Sequence, residues 1–169
     1  MTETQPTIRF KSSRFGDLEI PEEKIIRVPE GIIGFQEFKR YALLDPTGGE
    51  SLFLWLHCVD DPDLAFIIAD PLAFVPGYRI DSSEPDIDRL SVARKPAPAL
   101  FVIVTVPPDD PDRINANLIA PLLFFESENS LYQIILENAD WPLRYFLLEG
   151  EGSDPNATGC DPASPGEVL

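Results

Sequence analysis

Short apolar runs rich in Ile, Val, Leu, Phe and Tyr recur along the chain, set apart by prolines and other turn residues. Alternation is clearest at Phe10/Ser12 and at Tyr132/Ile134/Leu136, the spacing that puts every second side chain on one face of a strand. The runs predict strands at Thr7–Ser12, Asp17–Ile20, Ile25–Val28, Arg40–Leu44, Leu52–Val59, Leu64–Ile68, Leu100–Val106 and Ser130–Leu136. One more is expected at Asn117–Leu118, continuing to Leu122–Glu126. Leu100–Val106 is almost continuously apolar, as a strand buried on both faces must be, and is expected at the centre of its sheet. Regular short strands with turn residues between them point to an antiparallel barrel or sandwich.

Helix is scarce, and the prolines explain why. Eighteen of them, about twice the average share, remove backbone donors and fix φ wherever a long helix would run. The best helical stretch is Glu84–Ser91, with Ser83 as the expected cap and Pro85 in the first turn. A second helical turn is expected at Gln36–Lys39. From Glu149 the composition shifts to Gly, Ser, Asp, Pro and Asn with almost nothing to bury. The pattern therefore predicts a mainly β single domain over 7–148, with one or two short helices, and a disordered acidic tail over 149–169.

Composition narrows the function. The chain is 169 residues long, 44% hydrophobic and 10% aromatic, enough for one globular core without disulfides or metals. Its net charge of −16 argues against direct nucleic-acid binding, which needs clustered cations to displace counterions. The longest apolar runs, Leu64–Ala69 and Ala99–Val104, fall far short of the ~20 residues of a membrane helix. A soluble, cytosolic chain is expected, and self-repulsion favours a monomer. The charge is uneven: residues 1–44 balance seven basic against seven acidic groups, whereas 45–90 carry two against ten. That segment is either a solvated acidic face or a surface complementary to a basic protein.

No constellation for catalysis stands out. With one histidine and two distant cysteines, a Cys/His zinc site cannot form within one subunit. Cys58 sits in an apolar run and reads as a small core residue, Cys160 as an exposed thiol. His57 and Cys58 are strand neighbours pointing to opposite faces, so His57 cannot readily activate the thiol and reads as a structural histidine. Asp60, Asp61 and Asp63 and the echo at Asp109, Asp110 and Asp112 each enclose a proline and lack calcium-loop spacing. They read as turn formers. No metal or cofactor is expected. Asn115 and Asn117 stand two apart ahead of an apolar strand. If that stretch is extended they share a face, either capping a turn or gripping another backbone.

Four segments taken together resemble the FliW family of flagellar assembly factors. They are Pro29-Glu30-Gly31-Ile32-Ile33-Gly34-Phe35, Asp61-Pro62-Asp63-Leu64-Ala65-Phe66 running to Asp70-Pro71, Val104-Thr105-Val106-Pro107, and Ala116-Asn117-Leu118 with Ala120-Pro121. Ile33 stands where the family often has proline, and Asn115 where threonine is usual. The resemblance spans roughly residues 8–138. It implies a small β-barrel-like protein without catalysis. It also implies two alternative partners, flagellin and the RNA-binding translational repressor CsrA. Flagellin held in the cell would occupy the factor. Once flagellin is exported, the freed factor would capture CsrA and relieve repression of flagellin translation.

The residues suggest how each partner would be held. Asp60, Asp61, Asp63 and the Glu84–Asp88 stretch would contact the basic side chains of CsrA or repel its RNA. Phe35, Phe38, Leu64 and Phe66 are candidates for an apolar groove taking amphipathic helices of flagellin, although core packing competes for at least half of them. Asn115, Asn117 and Leu118 complete the set of expected contact residues. Two other classes remain open on the residues alone: a metal-dependent small β-barrel hydrolase working through the Asp clusters, and a general acidic chaperone for secreted proteins.

Overall fold

The computed structural model describes residues 5–90, 96–137 and 139–148. Eleven strands run through them: β1 (Thr7–Ser12), β2 (Gly16–Pro21), β3 (Ile25–Arg27), β4 (Arg40–Leu44), β5 (Phe53–Cys58), β6 (Ala65–Ala69), β7 (Ala99–Thr105), β8 (Asn115–Ala116), β9 (Leu122–Phe125), β10 (Ser130–Gln133) and β11 (Tyr145–Phe146). Seven of them close a barrel in the order β7-β6-β5-β4-β3-β10-β9 and back to β7. The fold is mainly β, as the pattern predicts. β7 does sit centrally: one edge takes β6, and the other is divided between β9 at its start and β8 at its end.

Period-two alternation sorts the side chains. Phe66 and Ile68 of β6 join Tyr41, Leu56, Leu122 and Leu131 inside the barrel. Ile67 and Ala69 point outward and are covered by a second layer that includes Tyr78, Leu118 and Leu136. All five residues of β6 are therefore buried, which is why its sequence is unbroken apolar rather than alternating. Cys58 lies on the inner wall, fully buried, and burial pushes its thiol pKa up, away from reactivity.

The β1–β2 hairpin forms a separate two-stranded sheet laid over the outside of the barrel, with Phe10 packed on Ile25, Ala42 and Val59. His57 pins it. A carbonyl only accepts, so Nδ1 donates to Cys58 O at 2.6 Å; in the neutral ring Nε2 then accepts from the Ser12 hydroxyl at 2.8 Å. Ser12 Oγ in turn accepts the Arg14 and Phe15 amides at 3.2 and 3.0 Å, shaping the hairpin turn. His57 is thus structural, as its place in the apolar run suggests. Ser12→Ala orphans the imidazole nitrogen and two amides. A loss of about 1–3 kcal/mol is expected, read from the urea midpoint, with the hairpin amides exchanging first.

One joint of the ring is unlike the rest. β3 and β10 run parallel and share the single pair Arg27–Ser130, while every other ladder in the described residues is antiparallel. Asn129, in the left-handed conformation at φ 50°, bridges this joint. Its amide donates to the carbonyls of Glu23 and Ile25, and its own carbonyl accepts the Arg27 N–H at 2.8 Å.

Several expectations need correction. Residues 36–39 form turns rather than helix, because Phe35 and Phe38 both drop onto the barrel core and the amides bond locally, Phe35 to Ile32 O and Phe38 to Phe35 O. Asn117–Leu118 is not strand. The ladder takes the two residues before it, and Asn117 caps a turn that separates β8 from β9. The helix is α1 (Pro85–Arg89), entered from Glu84 rather than Ser83 and without a side-chain cap. Glu84 is buried, and its carboxylate instead accepts the Glu137 N–H at 2.8 Å. The β9–β10 ladder stops at Gln133; Ile134 and Leu136 bond on to Pro121 and Ile119 as irregular chain. The Tyr145–Phe146 strand has no counterpart in the sequence reading. The tail, Cys160 and Ser91, the expected last residue of the helix, lie outside the described residues.

Candidate partner-binding surface

The candidate residues converge on one end of the barrel, where β5 ends and β6 begins. The antiparallel ladder brings the end of β7, and with it Asn115 on β8, to that same end. What each side chain does there differs.

The aspartates build the β5–β6 turn. Asp61 Oδ1 accepts the Asp63 N–H at 2.9 Å, and Asp63 in turn accepts the Ser13 hydroxyl while the Ser13 N–H bonds to Pro62 O at 2.9 Å. The acidic turn therefore clamps the tip of the β1–β2 hairpin. Asp60 pairs through both oxygens with the Arg40 guanidinium, whose pKa the hydrogen bond raises. That pair is half-exposed, so solvent screens it and it adds little stability. Asp60 and Asp63 are exposed all the same, and their charge faces water.

The apolar candidates divide. Leu64 and Phe66 are buried, at 7% and 2% exposure, and belong to the interior. Phe35 and Phe38 lie half-buried over them, with the Phe35 ring edge-on to Phe66 at 5.3 Å between centroids. Only these two of the four keep surface to offer. The signal for exposed apolar side chains lay elsewhere. In Gly31-Ile32-Ile33-Gly34, adjacent isoleucines in a turn cannot both reach the core: Ile32 is buried and Ile33 is 48% exposed. Gln133 accepts the Ile33 N–H at 2.8 Å and donates to Ala120 O at 3.3 Å, and two residues on Ile135 is 52% exposed.

Asn115 is buried and donates to Arg113 O at 3.1 Å, whereas Asn117 Oδ1 accepts the amides of Ile119 and Ala120 at 3.2 and 3.1 Å. Asn117 therefore caps a turn, and Asn115 bonds within its own segment. Leu118 is buried, its carbonyl taking the Tyr78 hydroxyl at 2.6 Å. The Glu84–Asp88 stretch is also mixed: Glu84 is inside, Asp86 binds Arg89, and Asp88 is exposed. Arg89 reaches further to Glu30, tying the helix to the β3–β4 loop. No group of His, Cys, Asp and Glu able to hold a metal ion forms among the described residues.

Comparison with known proteins matches this architecture. The family model of the FliW protein aligns with residues 9–147. A flagellar assembly factor FliW from Caldicellulosiruptor bescii is 35% identical over 144 residues, covering 85% of this chain and 93% of its own. One from Treponema denticola is 33% identical over 152 residues, covering 90% and 99%. A crystal structure of the flagellar assembly factor FliW superposes with a TM-score of 0.72 at 32% identity, across 82% of this chain and 96% of that one. The four motifs, the closed barrel that carries them and these matches along most of the chain agree, and the chain belongs to the FliW family of flagellar assembly factors.

Proposed function

We propose that this protein acts without catalysis in the cytoplasm, binding flagellin and, in its absence, sequestering CsrA so that flagellin translation resumes. Family membership over residues 9–147 is the observation that carries this reading. The surface supplies a mechanism. CsrA must bear cationic strips to hold RNA, because phosphate neutralisation gives most of that affinity. Of the ten acids in 45–90, Asp45, Glu50, Asp60, Asp63, Asp70, Asp81 and Asp88 are exposed. Docked beside CsrA, they lower the potential that RNA feels within a screening length of about 8 Å.

Flagellin is held differently. An amphipathic helix needs apolar side chains that reach solvent, and Ile33, Ile135, Phe35 and Phe38 offer them in place of the interior Leu64 and Phe66. CsrA binding is accordingly expected to weaken about tenfold from low to moderate salt, and flagellin binding far less.

Competition among the purified chain, CsrA, its RNA and flagellin tests the scheme: the chain should release RNA, and added flagellin should restore RNA binding. The triple variant Asp60→Asn, Asp61→Asn, Asp63→Asn keeps one acceptor oxygen at each position, enough for the Asp61 and Asp63 bonds of the turn, while removing three charges. It should displace RNA roughly three- to tenfold less well at low salt, with the gap closing as salt rises. Displacement equal to that of the parent would rule out an electrostatic contribution from this turn.

A further inference from the structure

The barrel carries a second surface of different chemistry. A groove of about 510 Å³ lies on the outside beside the β3–β10 joint, with Ile8, Ile25 and Pro29 as its apolar lining. One end is cationic, with Arg27, Lys39 and Arg40; Glu22 and Glu23 line it before β3 begins.

The cations of this end are not spent on the fold. Arg27 and Arg40 are directly opposed across β3 and β4, both exposed, an arrangement of like charges that costs stability unless an anion lies between them. Arg40 is partly satisfied by Asp60, but Arg27 and Lys39 have no side-chain partner among the described residues. The Lys39 backbone is held at the groove, because its carbonyl accepts the Val28 N–H at 2.9 Å. The lining also includes Ile8, Ile25 and Pro29, apolar surface that a small inorganic anion would leave unused. Finally, β1, whose Ile8 lines the groove, forms a ladder only with β2 among the described residues, so its second edge carries no strand.

We propose that this groove docks an extended polypeptide segment of a partner protein, with carboxylates at the Arg27–Lys39 end, a basic residue at the Glu22–Glu23 end and apolar side chains between them. Through Arg40, which pairs with Asp60, the groove adjoins the acidic turn. Its charge order sets the direction of the bound segment, since reversal would place like charges together at both ends.

The test titrates the full isotope-labelled chain with the peptide acetyl-Lys-Val-Thr-Val-Glu-Val-Glu-amide and with its charge-reversed counterpart, acetyl-Glu-Val-Thr-Val-Lys-Val-Lys-amide. The overall −16 field favours the second, the groove the first, so the two influences separate. Saturable amide shifts at Ile8, Ile25, Arg27 and Lys39 are expected with the first peptide. Roughly tenfold weaker binding is expected for the reversed one and for the Arg27→Glu/Lys39→Glu variant. Should that variant lose its fold, Arg27→Gln/Lys39→Gln serves instead. Equal binding of both peptides, or no groove shifts at about 1 mM peptide, overturns the proposal. Tenfold tighter peptide binding by the variant Glu149→Gln/Glu151→Gln/Asp154→Asn/Asp161→Asn/Glu167→Gln would assign the groove to the chain's own acidic end, and concentration-dependent self-association that shifts the Ile8, Ile25, Arg27 and Lys39 amides would assign it to a second copy. Either result overturns it too.

Discussion

Gly31→Ala is expected to lower stability by about 3–5 kcal/mol and to disorder the β3–β4 loop. Gly31 has φ +74°, and a Cβ there would lie 2.9 Å from both the carbonyl carbon and oxygen of Gln36 and closer still to its Cα. Those are backbone atoms, which cannot rotate away as a flexible side chain could. Nor can the loop shift as a whole. Gly31 N–H bonds to Val28 O at 2.9 Å, Phe35 N–H to Ile32 O at 2.7 Å, and Glu30 is held by Arg89. Gly48→Ala is the control: its φ is +65° but nothing lies within 4 Å of the added carbon, so only about 1 kcal/mol of conformational cost is expected. Urea midpoints of the two variants measure the difference. If they match, the close approach at Gly31 is not what demands glycine. Ile33 and Phe35 sit on this loop, so the variant should also lose flagellin binding at temperatures where the barrel remains folded.

Phe66→Ala is expected to cost about 3–5 kcal/mol, the usual range for emptying a buried aromatic site. Phe66 is 2% exposed, lies at the centre of the inner wall and meets the rings of Phe35 and Tyr41 at 5.3 and 6.2 Å. Phe35→Ala removes a half-buried ring from the same cluster and should cost less, because its outer face is already wet. Partner affinity should reverse the order. Measured on equal amounts of folded protein, flagellin binding should fall more for Phe35→Ala than for Phe66→Ala. Thermal unfolding together with a binding isotherm for each variant separates the two effects. A Phe66 variant that keeps its stability but loses its partner would reassign that side chain to the surface.

The strands were legible because their signal is local. Thr7–Ser12 alternates, and the bounded runs around Leu56, Ile68 and Val102 leave little choice of conformation. The four motifs were equally local, and they identify the family. What could not be read from the chain was the depth of each apolar position within the closed ring. Phe35 and Phe66 have the same side chain and both fall in motif segments. Only the barrel shows that one caps the interior and the other fills it. The same holds for Glu84, whose acidity suggests a solvated helix start until Glu137, 53 positions away, presents its amide. Tyr145–Phe146 is too short to pattern and becomes a strand only because β8 offers an edge. The groove cations were unreadable for a similar reason: Arg27 and Lys39 are twelve positions apart and meet only through the β3–β4 register.

β7 shares one edge between two neighbours, and this separates the fates of two parts of the molecule. Its first three residues close the ring through β9; its last two hold β8, from which β11 hangs outside the circle. Peeling away the β8–β11 flap breaks the bonds from Leu118 to Pro142 and from Leu147 to Ile114, yet leaves every seam of the ring intact. Deuterium can therefore enter at Phe146 and Leu147 long before it reaches Leu100 or Phe101. A relative with a different ending could rebuild that flank without recasting the cylinder it leans on.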